Sequence, residues 1–274
     1  MRLRENPFEC HCEEPKATKQ SQNSWIFYLV CFCALLISGA GAGYAQGPAD
    51  VPFAGGERLV YDISWYGVSG GSAVMELKPG TYRDRPVFQL TSTAKSNSVI
   101  SLLYPVSDQV ESLMDAENLT PLRMRSRLQE GGYRADREIF FDRERNVATF
   151  VNHRENGDPK ANDVPPMAQD PLSVLYYFRT LPAVVGKTVE IDVHDGHKNW
   201  KLLIHVLGKE RIWTPAGAFE TLKTRASIKY QGLFVNKGDV TIWFTDDGRR
   251  IPVLMESKIK IGHITATLMQ MGKE

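Results

Sequence analysis

The chain has 274 residues, 42% hydrophobic and 24% charged, ordinary globular usage that excludes a disordered chain and a multi-span membrane protein. Lys and Arg number 33 against 32 for Asp and Glu, a formal net charge of +1, so no global field gathers nucleic acid and none is expected as a partner. At ~150 residues per domain this length fits one or two domains, although all-β domains of ~200 to 250 residues are routinely single.

The chain opens with an address. Residues 25–38 (WIFYLVCFCALLIS) form an uncharged apolar run behind Lys16 and Lys19, and the small-residue stretch 39–45 (GAGAGYA) comes next. This is the order of a secretory signal, with Gly43 and Ala45 placed for a cut after Ala45. Extended to Ala45 the run is long enough to span a bilayer as an uncleaved anchor. Either way the remainder is exported and periplasmic, or anchored in the inner membrane. Membrane contact is expected only through residues 25–45, and only if they are retained. Cys10, Cys12, Cys31 and Cys33 all fall in this leader. Cys10-His11-Cys12 is half of a zinc site without a second pair at finger spacing, so no metal is expected there. The expected organisation is 1–45 signal peptide or anchor, 46–56 short linker and 57–274 one antiparallel β domain.

From Glu57 the pattern alternates with period two, which reads as half-buried antiparallel strands. Leu59, Tyr61, Ile63 and Trp65 share one face of the first, 57–65. Further strands are expected at 72–78, 87–95, 109–115, 122–129, 134–142, 147–153, 188–194, 200–207, 219–230, 239–245, 252–261 and 264–270. Short hairpin spacings between them predict one large antiparallel sheet, a half-barrel or barrel. Gly131-Gly132 reads as a two-residue loop that sets Arg127 opposite Asp136 and Arg125 opposite Glu138. The row Arg123, Arg125, Arg127 is thereby read as an ion-pair ladder, not an anion site. His194-Asp195-Gly196-His197 carries the Asp-Gly signal of a tight turn flanked by two histidines. A short apolar segment, 98–104, adds a turn or two of helix, and residues 156–167, rich in Asn, Asp and Pro, read as loop.

One longer helix is expected, over 172–180. Asp170 is a good N-cap, Pro171 suits the first helical position, and no breaker occurs until Pro182. Leu172, Val174, Leu175, Tyr176, Tyr177 and Phe178 make it apolar nearly all round, as suits a helix packed on several sides. Placed against the concave face of a curved sheet, it would leave any gap lined by Tyr61, Trp65, Leu175, Tyr176 and Phe178. These five are the candidate ligand-binding residues.

Catalytic signals are absent from the sequence. There is no Gly-x-Ser-x-Gly elbow, phosphate loop or dinucleotide fingerprint, and no cysteine nucleophile lies beyond the leader. Two histidines are too few to hold a metal, and the Asp246-Asp247 pair reads as a turn. No catalytic residue, cofactor or metal is expected.

The opening Gly-Glu-Arg-Leu-Val-Tyr-Asp-Ile-Ser-Trp-Tyr-Gly at 56–67 resembles that of a family of exported bacterial proteins known only as a domain of unknown function. The helix start Gln169-Asp170-Pro171-Leu172-Ser173, the Gly217-x-Phe219-Glu220 segment and Trp243-Phe244-Thr245-x-Asp247 with Arg250-Ile251-Pro252-Val253 resemble it too. The likeness covers nearly all of 55–271 and implies an exported single domain, with no activity to carry over. A curved sheet holding a helix also looks like the half-barrels of bacterial lipoprotein carriers, an analogy of fold alone. The expected function is non-enzymatic binding of an apolar or amphipathic ligand, or of a segment of an envelope protein. Alternatives are an envelope scaffold with a filled core and, third, an unrecognised hydrolase.

Overall fold

The computed structural model describes residues 51–272 apart from 54, 231–232 and 259–261. The leader, its cysteines and its cleavage point lie outside them. The alternating stretches become strands β1 (Glu57–Trp65), β2 (Val68–Tyr82), β3 (Arg85–Ser96), β4 (Ser107–Asp115), β5 (Pro121–Glu130), β6 (Tyr133–Asp142), β7 (Val147–Asn152) and β8 (Lys160–Asp163). After the main helix come β9 (Thr188–His194), β10 (Asn199–Thr214), β11 (Gly217–Tyr230), β12 (Leu233–Thr245), β13 (Pro252–Lys258) and β14 (His263–Gly272). Two helices interrupt them, α1 (Ser98–Ser101) before β4 and α2 (Ser173–Thr180) before β9.

All fourteen strands join one antiparallel sheet. Each pairs with its neighbour in sequence, and β1 closes on β14, giving the order β8-β7-β6-β5-β4-β3-β2-β1-β14-β13-β12-β11-β10-β9. The edges are therefore β8 and β9, mid-chain strands flanking α2, and no ladder joins them. The barrel is open. Its edges are covered all the same: Asn199 Nδ2 donates to the Asp163 carbonyl at 2.8 Å, and Asn162 Nδ2 to the Gly196 carbonyl at 3.4 Å. Along β9, Gln169 N donates to Asp192 O and His194 N to Gln169 O, both at 2.8 Å, occupying polar groups that an edge strand otherwise leaves free.

Strand pleating sends alternate residues inward. On β4 these are Asp108, Val110, Ser112 and Met114; on β5 they are Met124, Ser126, Leu128 and Glu130, all buried. The β5–β6 hairpin has the predicted register, with Arg125 opposite Glu138, Arg127 opposite Asp136, Met124 opposite Ile139 and Leu128 opposite Ala135. Its ion pairs run diagonally: Arg123 Nε meets Glu138 at 2.5 Å and Arg125 Nε meets Asp136 at 3.0 Å. A long guanidinium stem reaches the diagonal partner as easily as the one opposite.

Three expectations are corrected. Residues 160–163, read as loop, form the edge strand β8 by pairing with β7. The turn at His194 spans four residues: Asp195 Oδ1 accepts from the His197 and Lys198 amides at 2.7 and 2.6 Å, and His194 pairs with Asn199. The two histidines consequently diverge, His194 buried edge-on against Phe141 and His197 lying over Phe150. Finally, Trp65 does not line the interior: its pairing with β14 runs unbroken from Tyr61 to Trp65, so it keeps the pleat of Tyr61 and Ile63, but it is the last residue of β1. The register slip between Ile63 and Ser64 puts its extra residue, Gly70, in β2 and leaves the alternation of β1 intact. Trp65 then sits at the lip of the Tyr66-Gly67 turn, whose φ values of 50° and 77° match a two-residue hairpin loop, and it is 49% exposed.

Candidate functional site

Helix α2 begins where the sequence placed it. Asp170 Oδ1 accepts from the Leu172 and Ser173 amides at 2.7 and 2.8 Å, satisfying two donors that the first turn would orphan. The other oxygen of Asp170 accepts from the Ser112 hydroxyl on the inner face of β4. Burial holds this carboxyl above its usual range, and the bonds from Ser112 and the helix amides oppose that rise. Nearby, Arg143 donates to the Pro121 and Ala168 carbonyls at 2.8 and 2.9 Å. Desolvation brings its guanidinium down to about 10, so it stays charged at neutral pH.

The far end of α2 is stapled to β1. Arg179 Nη1 and Nη2 each donate to one oxygen of Glu57 at 2.7 Å, and its Nε donates to the Arg249 carbonyl at 3.1 Å. The Arg179 side chain is only 1% exposed. Its guanidinium lies 5.2 Å from the ring centres of Phe53 and Tyr176. Phe53 in turn meets Tyr176 and Phe88 edge-on, each with centroids 5.5 Å apart. Tyr61 donates to the Pro252 carbonyl at 2.8 Å, while the Tyr176 hydroxyl is buried with no hydrogen-bond partner among the described residues. Burial pushes both phenols up, so both are neutral.

Between these anchors α2 faces strands β9 to β12 across an apolar cleft of about 70 Å³. Leu175 and Phe178 line it from the helix; Val193, Leu202, Ala226 and Phe244 line it from the sheet. Pro171, Val174, Trp200, Ile204, Ile228 and Ile242 complete the wall. None of the twelve is charged. Phe178 and Phe244 meet with centroids 5.0 Å apart and planes tilted by 50°.

The five sequence candidates are thus divided. Leu175 and Phe178 line the cleft. Tyr61 and Tyr176 are corrected from gap-lining to core: the staple between Glu57 and Arg179 pulls that part of the helix onto β1 and leaves no gap there. Trp65 stands half exposed at the barrel's lip. Sequence reasoning missed the sheet wall of the cleft, although the even-numbered alternation in 200–204 and 242–244 marks it. Among the described residues no three His, Cys, Asp or Glu side chains gather as a metal site.

An open antiparallel barrel with a helix seated on its concave face and an apolar cleft beside that helix defines the class of this protein. The chain belongs to the family described as protein of unknown function DUF3108, whose model matches residues 60–269. No curated protein matches it. Its fold is similar to a β-barrel-like protein of the unknown-function domain DUF1849 from Brucella abortus, with TM-score 0.54, 9% identity, and coverage of 80% of this chain and 98% of that one. A protein from Bacteroides fragilis described as exported, with a YmcC-like fold, matches with TM-score 0.37 and 13% identity over 79% of this chain and 95% of its own. One from Parabacteroides distasonis described as a lipoprotein matches with TM-score 0.36 and 11% identity over 81% and 97%.

Proposed function

We propose that this is an exported envelope protein that acts by binding, and that it holds the apolar end of an amphipathic molecule or partner segment between α2 and strands β9 to β12. The observation that carries this reading is the uncharged wall of the cleft. Drug-sized ligands occupy sites of ~300 Å³ or more, so a cleft of about 70 Å³ suits the end of an acyl chain or one apolar side chain. An environment-sensitive apolar dye, N-phenyl-1-naphthylamine, tests it. The wild type should bind the dye saturably, and Ala226→Phe, which fills the cleft from the sheet side, should abolish binding while the fold, followed by circular dichroism, persists. Non-saturable dye uptake, or equal binding by the variant, would remove the cleft from consideration.

A scaffold with a filled core is the second reading. The packing of Phe53, Phe88, Tyr61 and Tyr176, each 2% exposed or less, favours it. A protein with no saturable dye site and a high unfolding temperature would fit that alternative. Export is tested by the mass of the periplasmic product, expected to begin at or near Gln46.

A further inference from the structure

We propose that the rim formed by the β1–β2 turn and the β3–β4 loop docks on the surface of an anionic lipid bilayer. The proposal is independent of any ligand in the cleft.

Large apolar side chains crowd this rim. Leu102 and Leu103 are 86% and 87% exposed, and Trp65, Tyr66, Val68 and Val99 are exposed beside them. They belong to one surface because the two segments are bonded together. The Asn97 amide donates to the Gly70 carbonyl at 2.8 Å, and Asn97 Nδ2 donates to the Ser69 carbonyl at 2.8 Å. A Cβ placed on Gly70 would lie 3.8 Å from the Ile100 side chain, so α1 packs directly on β2.

The loop is braced with its polar groups turned inward. Asn97 Oδ1 caps α1 by accepting from the Ile100 amide at 2.9 Å, and the Ser96 hydroxyl meets Ser101 at 2.7 Å and accepts from the Val106 amide at 2.9 Å. Polar partners are used within the loop, and the leucines are left at its tip. Scattered apolar residues on a surface need no explanation, whereas a contiguous exposed patch marks a contact.

The flank is basic. Lys95, Arg127 and Arg134 line an outer groove of about 280 Å³ that borders the loop, and all three are exposed. Arg134 also donates to the Gly131 carbonyl at 2.7 Å, and the Gly131 amide donates to Pro105, which ties this cation to the end of the loop. Among the described residues no acid pairs with Lys95 or Arg134. The nearby acids are engaged or turned away: Asp62 accepts from Ser69, Asp136 takes Arg125 and Arg127, and Asp108 and Glu130 face the interior. Arg154 shares the groove, but the adjacent Glu155 offsets its charge.

Aromatics at a lip, aliphatics beyond them and cations to the side is the arrangement that an interface with anionic headgroups favours. A specific protein interface recruits ~20–30 residues a side, and this rim offers only two short segments. No helix among the described residues is long and apolar enough to cross a bilayer, so the contact is peripheral.

Trp65 supplies the reporter. The full chain is mixed with vesicles of phosphatidylglycerol and phosphatidylethanolamine carrying brominated acyl chains, alongside the variant Trp65→Phe. The wild-type minus W65F difference isolates one indole from Trp25 in the leader, from the exposed Trp213 and from the buried Trp200 and Trp243. That difference signal should shift to the blue and be quenched by bromine. It should vanish in the double variant Leu102→Asp, Leu103→Asp, and the charge reversals Lys95→Glu and Arg134→Glu together should weaken it by about tenfold or more. Both double variants alter exposed side chains, so circular dichroism should be unchanged. Absence of a Trp65-specific signal would overturn the proposal. Equal signals on phosphatidylcholine vesicles would overturn the anionic preference. Self-association of the wild type that the Leu double variant abolishes, with no Trp65 quenching, would assign the rim to a second copy of the chain instead.

Discussion

Glu57 with Arg179, joining β1 to α2, and Asp108 with Glu130, on the paired strands β4 and β5, are both buried pairs of ionisable side chains. The first pair has opposite charges, two parallel hydrogen bonds and a carbonyl for the remaining donor. The second has two carboxyls on the inner faces of β4 and β5. Asp108 Oδ1 accepts from the Gln129 amide at 2.8 Å, while among the described residues no donor other than the neighbouring carboxyl reaches the buried Asp108 Oδ2 and Glu130 Oε1. Burial, with the neighbouring Glu130, pushes Asp108 up to about 7, and burial raises Glu130 as well. Two carboxylates cannot both ionise cheaply at such a site. One pair is thus locked by its charges, and the other carries a charge conflict relieved by one shared proton.

The largest effect should come from breaking the lock. Arg179→Ala leaves Glu57 buried and unpaired and should cost about 3–5 kcal/mol in urea unfolding, whereas replacing both partners with Met should cost much less. If the double replacement were as damaging as the single one, the pair would matter through packing rather than charge.

The conflict should have the opposite sign. Asp108 has a raised folded-state pKa, so between about pH 4 and 7 the folded protein binds more protons than the unfolded chain, and stability falls as pH rises through that window. Asp108→Asn removes the charge and should be stabilising at pH 8 by about 1–3 kcal/mol, with little difference at pH 4. Unfolding free energies measured across pH 4–8 check this; a destabilised variant at pH 8 would mean that the carboxylate is used.

Leu175→Ala should cost about 1–2 kcal/mol, less than a fully buried leucine such as Leu90, for which ~2–5 kcal/mol is usual. Leu175 is only partly buried against the cleft. Equal losses at the two positions would show that the cleft is closed in solution. Smallest of all, Arg125→Ala on the half-exposed ladder should change stability by about 1 kcal/mol or less.

The legible features were those set by neighbouring residues. Asp170-Pro171 announced the helix start because capping is a local bond, and Gly131-Gly132 fixed the β5–β6 register because a two-residue loop leaves one pairing. By contrast β8, with the sequence Lys-Ala-Asn-Asp, has no apolar alternation and exists only because β7 supplies a ladder. Trp65 keeps the pleat that period two predicts, but β1 ends there, so its side chain stands at the lip instead of in the core.

The sequence by itself determined the β-rich class, the single helix apolar on nearly every side and the ladder of arginines, since periodicity and capping act over a few residues. Tertiary structure alone decided which aromatics became core and which became lip. It paired Glu57 with Arg179, 122 residues apart, and brought Asp108 beside Glu130. The first pairing depends on the curved sheet holding α2 against β1 and the second on the register of β4 with β5, and no local pattern encodes either distance.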